Sequence, residues 1–459
     1  MVSGVEFSQA RILGVSHRPT KIDDWSAVKR LGERAIKLAP WLLVASIVIR
    51  SIGTTNIPDM FVDLRVYIAG GAALDHPGTL YQLSYTDLLG EQLPFIYPPF
   101  AAMIFYPLQW LPFVVVAWLW QFATIACLYG IVRVSQRMIG RGGHRIAMLW
   151  TAAAIWLEPI RLLLNYSQVG VFLTFAVLYA AYTSRSWLAG LLVGLAAGVK
   201  ITPAITGLYF LAMRRWAAAA FAVAAFFATV GITALIAPSE TREFFVELFR
   251  RVPVSTGTSN NQSWLGTISR IVGYDAGHTV LVPLAIAATA VLSVCAWRAL
   301  GKTGNRDVLG SLLVVQLFGL MASPISWTHH WVWLIPLMIW LINGPWRDQP
   351  GARVLGWVWF AVLLIGIPSA LSLLQASVWT FSRPWYLAWG AAVYVPMTLV
   401  TLGWMIFVGR RITRRPPYLC DGPVAQDLDA EISADRVLQA PVDRQPVGRA
   451  VSSAVSQTR

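Results

Sequence analysis

Long apolar runs recur along nearly the whole chain and are separated by short polar connections. Only 13% of the 459 residues are charged, whereas a soluble protein has about a quarter of its residues charged. Runs on this scale must face lipid, so the sequence predicts an all-α polytopic membrane protein with about twelve transmembrane helices. Several runs are short, which is tolerated where neighbouring segments cover the backbone. The predicted spans are 38–56, 111–133, 145–163, 169–184, 187–200, 202–213, 216–237, 279–299, 308–322, 329–343, 353–374 and 385–409.

The basic residues test this trace, because Lys and Arg favour cytosolic loops. They concentrate in alternate connections, from the loop 133–145 to the segment that follows residue 409. The net charge of +14 therefore indicates orientation in a membrane, and we expect no nucleic acid among the partners. Both termini are predicted to be cytosolic.

Composition divides the chain into three regions. We predict a cytosolic N-terminal segment over 1–37, a membrane domain over 38–410 and a disordered cytosolic tail over 411–459. The first apolar run begins after about forty residues, too late for a cleaved signal peptide, so it is expected to be an uncleaved anchor. The three cysteines show no metal-ligand spacing.

Two long segments face the outer side in this trace, 57–110 and 238–278. The apolar stretch 97–108 within the first is too short to cross a bilayer and is interrupted by Pro107. We expect it to form a short helix along the outer interface.

Polar residues collect on that same side of the trace. Ionisable groups near hydrocarbon are expensive and persist mostly for function, and here five separate connections carry such residues or polar neighbours. We therefore predict a site at the outer membrane boundary that is assembled from distant parts of the chain. Its candidate residues are Asp63; Glu158, Arg161, Asn165 and Gln168; Lys200; Asn260, Asn261 and Gln262; and His329 and His330.

Each candidate also has an ordinary structural interpretation, and none is decisive alone. A helix N-cap, an extended side chain at the interface and an aromatic belt are common uses of these residue types. The structural alternatives are an N-cap for Asp63, a rigid Tyr-Pro-Pro turn at Tyr97, an interfacial position for Lys200, an aromatic belt for His329 and His330, and an ion pair between Glu158 and Arg161.

One outer carboxylate, several cations and an aromatic-rich cleft at a lipid boundary suit the transfer of a sugar from a lipid phosphate. A carboxylate would take the proton of the attacking hydroxyl, and cations such as Lys200 would stabilise the leaving phosphate. Inverting displacement needs one essential carboxylate, unlike retaining hydrolysis. The reaction demands no metal, and we expect no cofactor.

Eight short motifs follow one another along the chain. They are Asp63-Leu64-Arg65-Val66-Tyr67, Leu80-Tyr81, Phe95-Ile96-Tyr97-Pro98-Pro99-Phe100, Glu158-Pro159, Asn165-Tyr166-Ser167-Gln168-Val169, Gly198-Val199-Lys200-Ile201-Thr202-Pro203, Asn261-Gln262-Ser263-Trp264 and Ser323-Pro324-Ile325-Ser326-Trp327-Thr328-His329-His330. In this order and spacing the chain resembles glycosyltransferase family 87, a GT-C-type family of polyprenyl-phosphate-mannose-dependent α-mannosyltransferases. The resemblance covers roughly residues 40–410. It implies a GT-C-type helical bundle with outer-face loops and short interfacial helices, whose catalytic domain is 38–410.

The resemblance also implies an activity: inverting transfer of mannose from β-linked polyprenyl phosphomannose to a 2-hydroxyl of a mannosylated lipid, on the outer face of the plasma membrane. Asp63 matches the family's proposed catalytic Asp, and His329 matches a functional His. The overall pattern is most like the member that converts phosphatidylinositol tetramannoside to pentamannoside. The expected donor and acceptor contacts are Arg65, Tyr97, Glu158, Asn165, Gln168, Lys200, Asn261, Gln262 and His330.

Alternative functions stay open. The first is the α-1,2 branching mannosyltransferase of lipomannan and lipoarabinomannan, and a second is a related GT-C enzyme that moves arabinose or glucose. A transporter or flippase for a lipid-linked sugar is the rival from another class. Transporters keep ionisable groups near the midplane of broken helices, whereas these residues are predicted to gather at one interface, which favours the transferase.

Overall fold

The chain is helical almost throughout the residues that the computed structural model describes. A helix satisfies its own backbone hydrogen bonds, which segments in hydrocarbon require. The described ranges are 25–54, 60–86, 92–247, 257–258, 260–301, 307–375, 377 and 380–414. The first ten α-helices are α1 (Trp25–Thr54), α2 (Val62–Ala72), α3 (Pro99–Phe105), α4 (Phe113–Met138), α5 (His144–Ala154), α6 (Glu158–Tyr166), α7 (Gly170–Tyr182), α8 (Ser186–Val199), α9 (Thr206–Ala212) and α10 (Trp216–Ile236).

The remaining helices are shorter on average, and several follow one another closely. They are α11 (Pro238–Arg242), α12 (Trp264–Val272), α13 (Leu281–Gly301), α14 (Val308–Ala322), α15 (Leu334–Asn343), α16 (Ala352–Ile365), α17 (Ile367–Ser372), α18 (Trp385–Gly390) and α19 (Tyr394–Arg414). Single turns of 3₁₀ or π-helix cover Ala73–Asp75, Tyr106–Trp110, Thr202–Ile205, Glu243–Glu247, Ala276–His278 and Thr328–Trp333. A small antiparallel sheet pairs β1 (Ser84–Thr86) with β2 (Gln92–Pro94).

Six of the described helices are long and apolar enough to cross a membrane alone, and the bent pair α5 and α6 makes a seventh if it is one span. Four shorter apolar segments, α7, α8, Thr202–Ala212 and α14, coincide with predicted short spans. The prediction of an all-α polytopic membrane protein is therefore confirmed. The number twelve stays a prediction.

Several predicted spans are broken rather than continuous. α5 and α6 meet at an angle of 72°. Leu157 is extended at the N-cap of α6, and Pro159, which has no N–H to donate, is accommodated in the first turn of the new helix. α16 ends at Gly366, whose φ of 68° lies in the left-handed region. Such breaks bring backbone turns and polar side chains between apolar helices.

The predicted interfacial stretch 97–108 forms α3 and the 3₁₀ turn Tyr106–Trp110. This short helical segment packs on α2, and the two share a buried core with one face of α4, the start of α7 and the last turn of α8. Leu64 and Tyr67 of α2 are fully buried in that core. The site residues of α2 are therefore held by packing on several sides.

α8 and α10 are in close contact along a row of glycines. A Cβ atom at Gly194 would lie 2.6 Å from the carbonyl oxygen of Ala222, and one at Gly198 would lie 2.6 Å from Oγ1 of Thr229. Small residues permit this close approach of two helices in a membrane. α8 ends one residue before Lys200, so the packing of α8 on α10 helps to fix the backbone position of that lysine.

Parts of the predicted terminal regions are outside the described residues. Of the predicted cytosolic segment 1–37, the structure describes 25–37 as the start of α1. Of the tail 411–459, it describes 411–414 as the end of α19. The predictions for 1–24 and 415–459 lie outside the described ranges.

Candidate active site

α2 places Asp63 and Tyr67 one helical turn apart on the same face. The helix follows Phe61, whose φ of 67° is left-handed, and the Phe61 amide donates to the carbonyl of Asn165 over 2.8 Å. This hydrogen bond ties the start of α2 to the end of α6. Asp63 lies inside the first turn of α2 rather than at its N-cap, so the N-cap interpretation is wrong.

Gln168 is the centre of the hydrogen bonds around Asp63. Its Nε2 donates to Oδ2 of Asp63, and its Oε1 accepts from the hydroxyls of Tyr67 and Tyr97 over 3.1 Å each. The two tyrosine oxygens are 3.0 Å apart. Because both hydroxyls can donate to Oε1, the amide is oriented with its NH₂ group toward the carboxylate.

The turn that carries Gln168 is supported from α4. Ser167 ends α6 in the left-handed region with φ of 58°, which turns the chain abruptly. Gln121, a buried polar residue within α4, donates through Nε2 to the carbonyl of Leu164 over 2.7 Å and to Oγ of Ser167 over 3.1 Å. The turn is thereby held although its helix has ended.

Asp63 is partly exposed, yet its surroundings are poorly solvating. Burial raises the pKa of Asp63 to about 6, opposed by the hydrogen bond from Gln168 and by the charge of Lys200. A carboxylate with such a pKa is largely ionised at neutral pH and accepts a proton more readily than an ordinary aspartate.

Lys200 and His330 form the cationic side of the site. The ammonium of Lys200 donates to Nε2 of His330 over 2.9 Å. An ammonium has only donors, so Nε2 of His330 accepts and the neutral ring carries its proton on Nδ1. Lys200 also lies 5.3 Å from the ring centroid of Tyr97, which joins this pair to the residues around Asp63. We call Asp63, Tyr67, Tyr97, Gln168, Lys200 and His330 the Asp63 cluster.

His329 is buried beside this cluster. Its ring is perpendicular to that of His330 at 4.7 Å between centroids and lies 5.6 Å from the ring of Tyr166. Within the described part of the chain, Nε2 of His329 has no hydrogen-bond partner. A buried polar atom left unsatisfied in this way is uncommon, and it makes His329 a candidate for contact with a bound molecule.

Lys200 and His330 also line a cavity of about 350 Å³. Apart from these two residues and a few hydroxyl and amide groups, its walls are apolar. The apolar side chains come from α7, the Thr202–Ile205 turn, α14 and the segment before α15. They are Leu173, Val177, Ile201, Ile205, Leu320 and Trp333. The cavity is therefore largely apolar, with a cation in its wall.

Asn261 and Gln262 are fully buried and bind backbone. Oδ1 of Asn261 accepts from the amides of Ser263 and Ser326 over 3.2 and 2.9 Å. Nε2 of Gln262 donates to the carbonyl of Ala391 over 2.7 Å. Together with a β-bridge between Asn261 and Trp327, these bonds hold the segment that leads to His329. We call these two residues the Asn261–Gln262 clamp; their predicted contact with substrate stays a prediction.

Glu158 is also occupied by neighbouring protein groups. It accepts from the Ser369 amide over 2.8 Å and from the Tyr394 hydroxyl over 2.6 Å. Among the described residues, Glu158 makes no ion pair with Arg161 within 4.0 Å. The two ion pairs of that part of the chain both involve Asp348. The predicted pairing with Arg161 is therefore wrong, and the predicted substrate contact of Glu158 stays a prediction.

Asn165 and Arg65 lie around the cluster without joining its hydrogen bonds. Oδ1 of Asn165 accepts from the guanidinium of Arg50. The exposed Arg65 stacks its guanidinium 3.8 Å from the ring centroid of Phe113. Their predicted contacts with donor or acceptor stay predictions.

Tyr67 and Tyr166 are functional candidates that the sequence did not single out, although both lie in the motifs. Tyr67 stands four residues after Asp63, which on a helix places both on one face. That spacing was the available signal for Tyr67. Tyr166 contacts His329 across a long sequence separation, and no local pattern signals such a contact.

In the described ranges, no group of three or more His, Cys, Asp or Glu side chains could hold a metal ion. That the reaction needs no metal or cofactor stays a prediction.

Apolar helices of spanning length around a carboxylate, a lysine and two histidines define a multi-pass membrane protein with a candidate active site beside a largely apolar cavity. The chain belongs to glycosyltransferase family 87, whose profile matches residues 95–324. The family predicted from the motifs is confirmed, and the chain is a glycosyltransferase.

Two curated relatives share one description, polyprenol-phosphate-mannose-dependent alpha-(1-2)-phosphatidylinositol pentamannoside mannosyltransferase. The protein of Mycolicibacterium smegmatis (strain ATCC 700084 / mc(2)155) is 56% identical over 382 residues, 82% of this chain and 92% of the relative. The protein of Mycobacterium tuberculosis (strain CDC 1551 / Oshkosh) is 54% identical over 393 residues, 83% of this chain and 90% of the relative.

A second M. smegmatis protein is more distant, at 31% identity over 380 residues, 74% of this chain and 84% of the relative. It is described as polyprenol-phosphate-mannose-dependent alpha-(1-2)-phosphatidylinositol mannoside mannosyltransferase. No solved structure matches this chain significantly.

Proposed function

We propose that this chain transfers mannose from polyprenyl phosphomannose to a 2-hydroxyl of phosphatidylinositol tetramannoside and thereby forms the pentamannoside with an α-1,2 linkage. The identity to the relatives described as pentamannoside mannosyltransferases is 56% and 54%, against 31% for the relative described as a phosphatidylinositol mannoside mannosyltransferase, which supports this acceptor. The observation that carries the mechanism is the position of Lys200 and His330, which belong both to the Asp63 cluster and to the wall of the apolar cavity.

The donor has an apolar tail and a phosphodiester head, and the cavity offers both environments. The first isoprene units occupy the apolar walls, and the phosphate lies against the ammonium of Lys200. His330, which now accepts from Lys200, presents its Nδ1–H as a further donor. Positive charge at this point stabilises the phosphate as it becomes the leaving group.

Asp63 acts as the general base. Gln168 donates to Oδ2, and Oδ1 has no hydrogen-bond partner among the described residues, so it is free to accept the proton of the acceptor 2-hydroxyl. The hydroxyl oxygen bonds to C1 of mannose while the bond from C1 to the phosphate oxygen breaks. The electron pair leaves with polyprenyl phosphate, and the β-linked mannose is inverted to an α-linkage.

His329 contributes from beside His330. Its Nε2 is unpaired within the described residues and is available to the leaving phosphate or to a hydroxyl of the transferred mannose. Tyr166 keeps the ring in place from the other side. Which of these partners His329 meets determines whether its replacement weakens donor binding or slows the chemical step.

The site lies at the outer face of the plasma membrane in this proposal. The alternation of basic connections supports that orientation, since the connections that carry Asp63, Lys200 and His329 fall opposite the basic ones. Cysteine labelling from the two sides of sealed membranes tests it. Labels at positions 63 and 329 that react from opposite sides would remove the shared site.

The function is tested with purified protein in nanodiscs, polyprenyl phosphomannose and phosphatidylinositol tetramannoside. We expect pentamannoside and free polyprenyl phosphate in equal amounts, and neither with Asp63→Asn. Donor consumed without glycosyl product, or donor moved across a sealed bilayer unchanged, would instead favour hydrolysis or a transporter. In a deletion strain, accumulation of tetramannoside supports this acceptor, whereas loss of single-mannose branches on lipomannan supports the branching transferase.

A further inference from the structure

Arg383 is an isolated charge in the last part of the membrane domain. It is the only Asp, Glu, Lys, Arg or His between residues 354 and 409. Its Nη2 donates to the carbonyl oxygen of Gly257 over 3.0 Å and also to that of Thr380. Arg383 is partly exposed, but its Nη1 is buried and has no hydrogen-bond partner among the described residues.

Arg270 lies next to Arg383 and is 1% exposed. Its Nη1 donates to the carbonyl oxygens of Thr258 and Asn261 over 2.5 Å each. The two guanidinium groups thus bind the carbonyls of consecutive residues, Gly257 and Thr258. Burial, and secondly the charge of Arg383, lowers the pKa of Arg270, which reflects the proximity of two like charges; arginine nevertheless stays protonated.

No carboxylate compensates these two charges within the described part of the chain. The sequence has no Asp or Glu from 248 to 274 or from 349 to 420, and neither arginine forms an ion pair among the described residues. Carbonyl oxygens solvate a guanidinium but carry no net charge. Two cations that share one buried place are costly unless an anion joins them.

Unused hydrogen-bonding groups surround the same place. Nε of Arg270, Nη1 of Arg383 and Oγ1 of Thr258 are buried without partners among the described residues. These are two N–H donors and one hydroxyl, a set that suits the oxygens of a phosphodiester. Arg383 is the partly exposed residue of the pair, and Arg270 is buried next to it.

This pair is joined to the active site by paired backbone segments. The Thr328 amide donates to the carbonyl of Asn260 over 2.8 Å, and the Gln262 amide donates to that of Ser326 over 2.7 Å. One of the paired segments therefore leads to His329 and the other to Arg270. The two arginines do not line the apolar cavity of Lys200.

We propose that Arg383, with Arg270 behind it, binds the phosphodiester of the lipid acceptor and holds the acceptor for attack at the Asp63 cluster. This inference rests on the proposed function, because it assigns the lipid anchor of the same acceptor. Nη1 of Arg383 and Nε of Arg270, which have no partner among the described residues, would donate to the oxygens of the phosphodiester. The donor carries the same chemistry, so the experiment separates the two lipids.

The test measures KM for each substrate with full-length protein in neutral nanodiscs. Two acceptors are compared, phosphatidylinositol tetramannoside and an uncharged alkyl α-mannoside with the same terminal mannose. Arg383→Gln is expected to raise KM for the charged acceptor about tenfold or more, because a charge-assisted hydrogen bond is lost. KM for the alkyl mannoside and for the donor stays within twofold of wild type, since neither uses this site. Arg383→Lys keeps the charge but lacks a second nitrogen to donate to the Gly257 and Thr380 carbonyls while the first meets the phosphate, and falls between.

The matched control is Arg353→Gln, which removes an exposed cation that pairs with Asp348 and changes neither KM. Equal increases for both acceptors would make Arg383 structural and overturn the proposal. A rise in donor KM alone would assign the arginines to the donor phosphate and would also overturn it. Turnover of the alkyl mannoside by the variant shows that the transferase works even if the acceptor anchor does not.

Discussion

Two buried polar regions of this molecule look alike in sequence and differ in how their hydrogen-bonding groups are used. In the Asn261–Gln262 clamp, side-chain groups of both residues bind backbone groups of neighbouring segments. In the Asp63 cluster, Gln168 donates to only one carboxylate oxygen of Asp63, and Lys200 lines an open cavity. Polar groups whose bonds are complete stabilise a fold, and those left incomplete at a cavity can bind a substrate.

The comparison has a thermodynamic side. Residues of the clamp should contribute to folding free energy, because their loss leaves buried groups unpaired. Asp63 should oppose folding at neutral pH, because its pKa is raised from 3.8 to about 6 and ionising it costs free energy in the folded state. Substitutions in the clamp should therefore lower stability more than activity, whereas substitution of Asp63 should lower activity without lowering stability.

The largest expected effect is that of Asp63→Asn. Without a base, turnover should fall about a thousandfold. Stability at pH 7 should be unchanged or higher, because the variant lacks the free-energy cost of ionising Asp63 in the folded state. In wild type that cost is absent below the unfolded pKa of 3.8, grows as the pH rises toward about 6, and is complete above it. Turnover and thermal unfolding in the same nanodiscs measure both, and an active Asp63→Asn protein would end the assignment of the base.

Lys200→Ala is expected to have the second largest effect. Removing the cation beside the donor phosphate should raise KM for polyprenyl phosphomannose about ten- to a hundredfold, with little change in KM for the acceptor. Lys200→Arg is the control, since it keeps the positive charge. If donor dependence is unchanged in Lys200→Ala, the donor phosphate does not lie beside Lys200.

Asn261→Ala tests the clamp. The change leaves the amides of Ser263 and Ser326 without this acceptor and should lower the free energy of unfolding by about 2 kcal/mol. Molecules that remain folded should keep most of their turnover. The control Gln82→Ala, at an exposed position, should change neither the free energy of unfolding nor turnover. A clamp variant that is stable but inactive would mean that Asn261 contacts substrate after all.

The smallest effect is expected in the pH profile. kcat/KM should rise with pH through about 6 as Asp63 loses its proton. Gln168→Leu removes a hydrogen bond that lowers the pKa of Asp63, so the rising limb should move to higher pH by about one unit. A profile that keeps its midpoint would show that the limb belongs to another group.

Much of the architecture could be predicted because lipid imposes it. Apolar runs located the helices to within a few residues; the predicted span 216–237 is α10 (Trp216–Ile236) and 308–322 is α14 (Val308–Ala322). The breaks were harder, since 145–163 reads as one mostly apolar run, whereas in the structure α5 ends at Ala154 and α6 begins at Glu158. Periodicity does not register such a division.

The proximity of several candidate residues was predictable from the sequence, but their individual contacts were not. Asp63, Gln168, Tyr97, Lys200 and His330 come together as expected. Asn261 and Glu158 come from equally polar motifs and bind backbone groups of this protein, and their contacts with substrate stay predictions. Residue type reports the cost of burying a group, whereas only the fold shows which partner compensates that cost.

The glycine row between α8 and α10 has a consequence for donor recognition. A methyl group at Gly194 would overlap the Ala222 carbonyl, and α8 would have to retreat along its whole length, since a helix behaves as a stiff rod over these distances. Lys200 stands at the far end of that rod, about 9 Å along the axis. Under the proposed function, the packing of α8 on α10 thus contributes to the fit of the donor phosphate, although Gly194 is not among the residues that line the cavity.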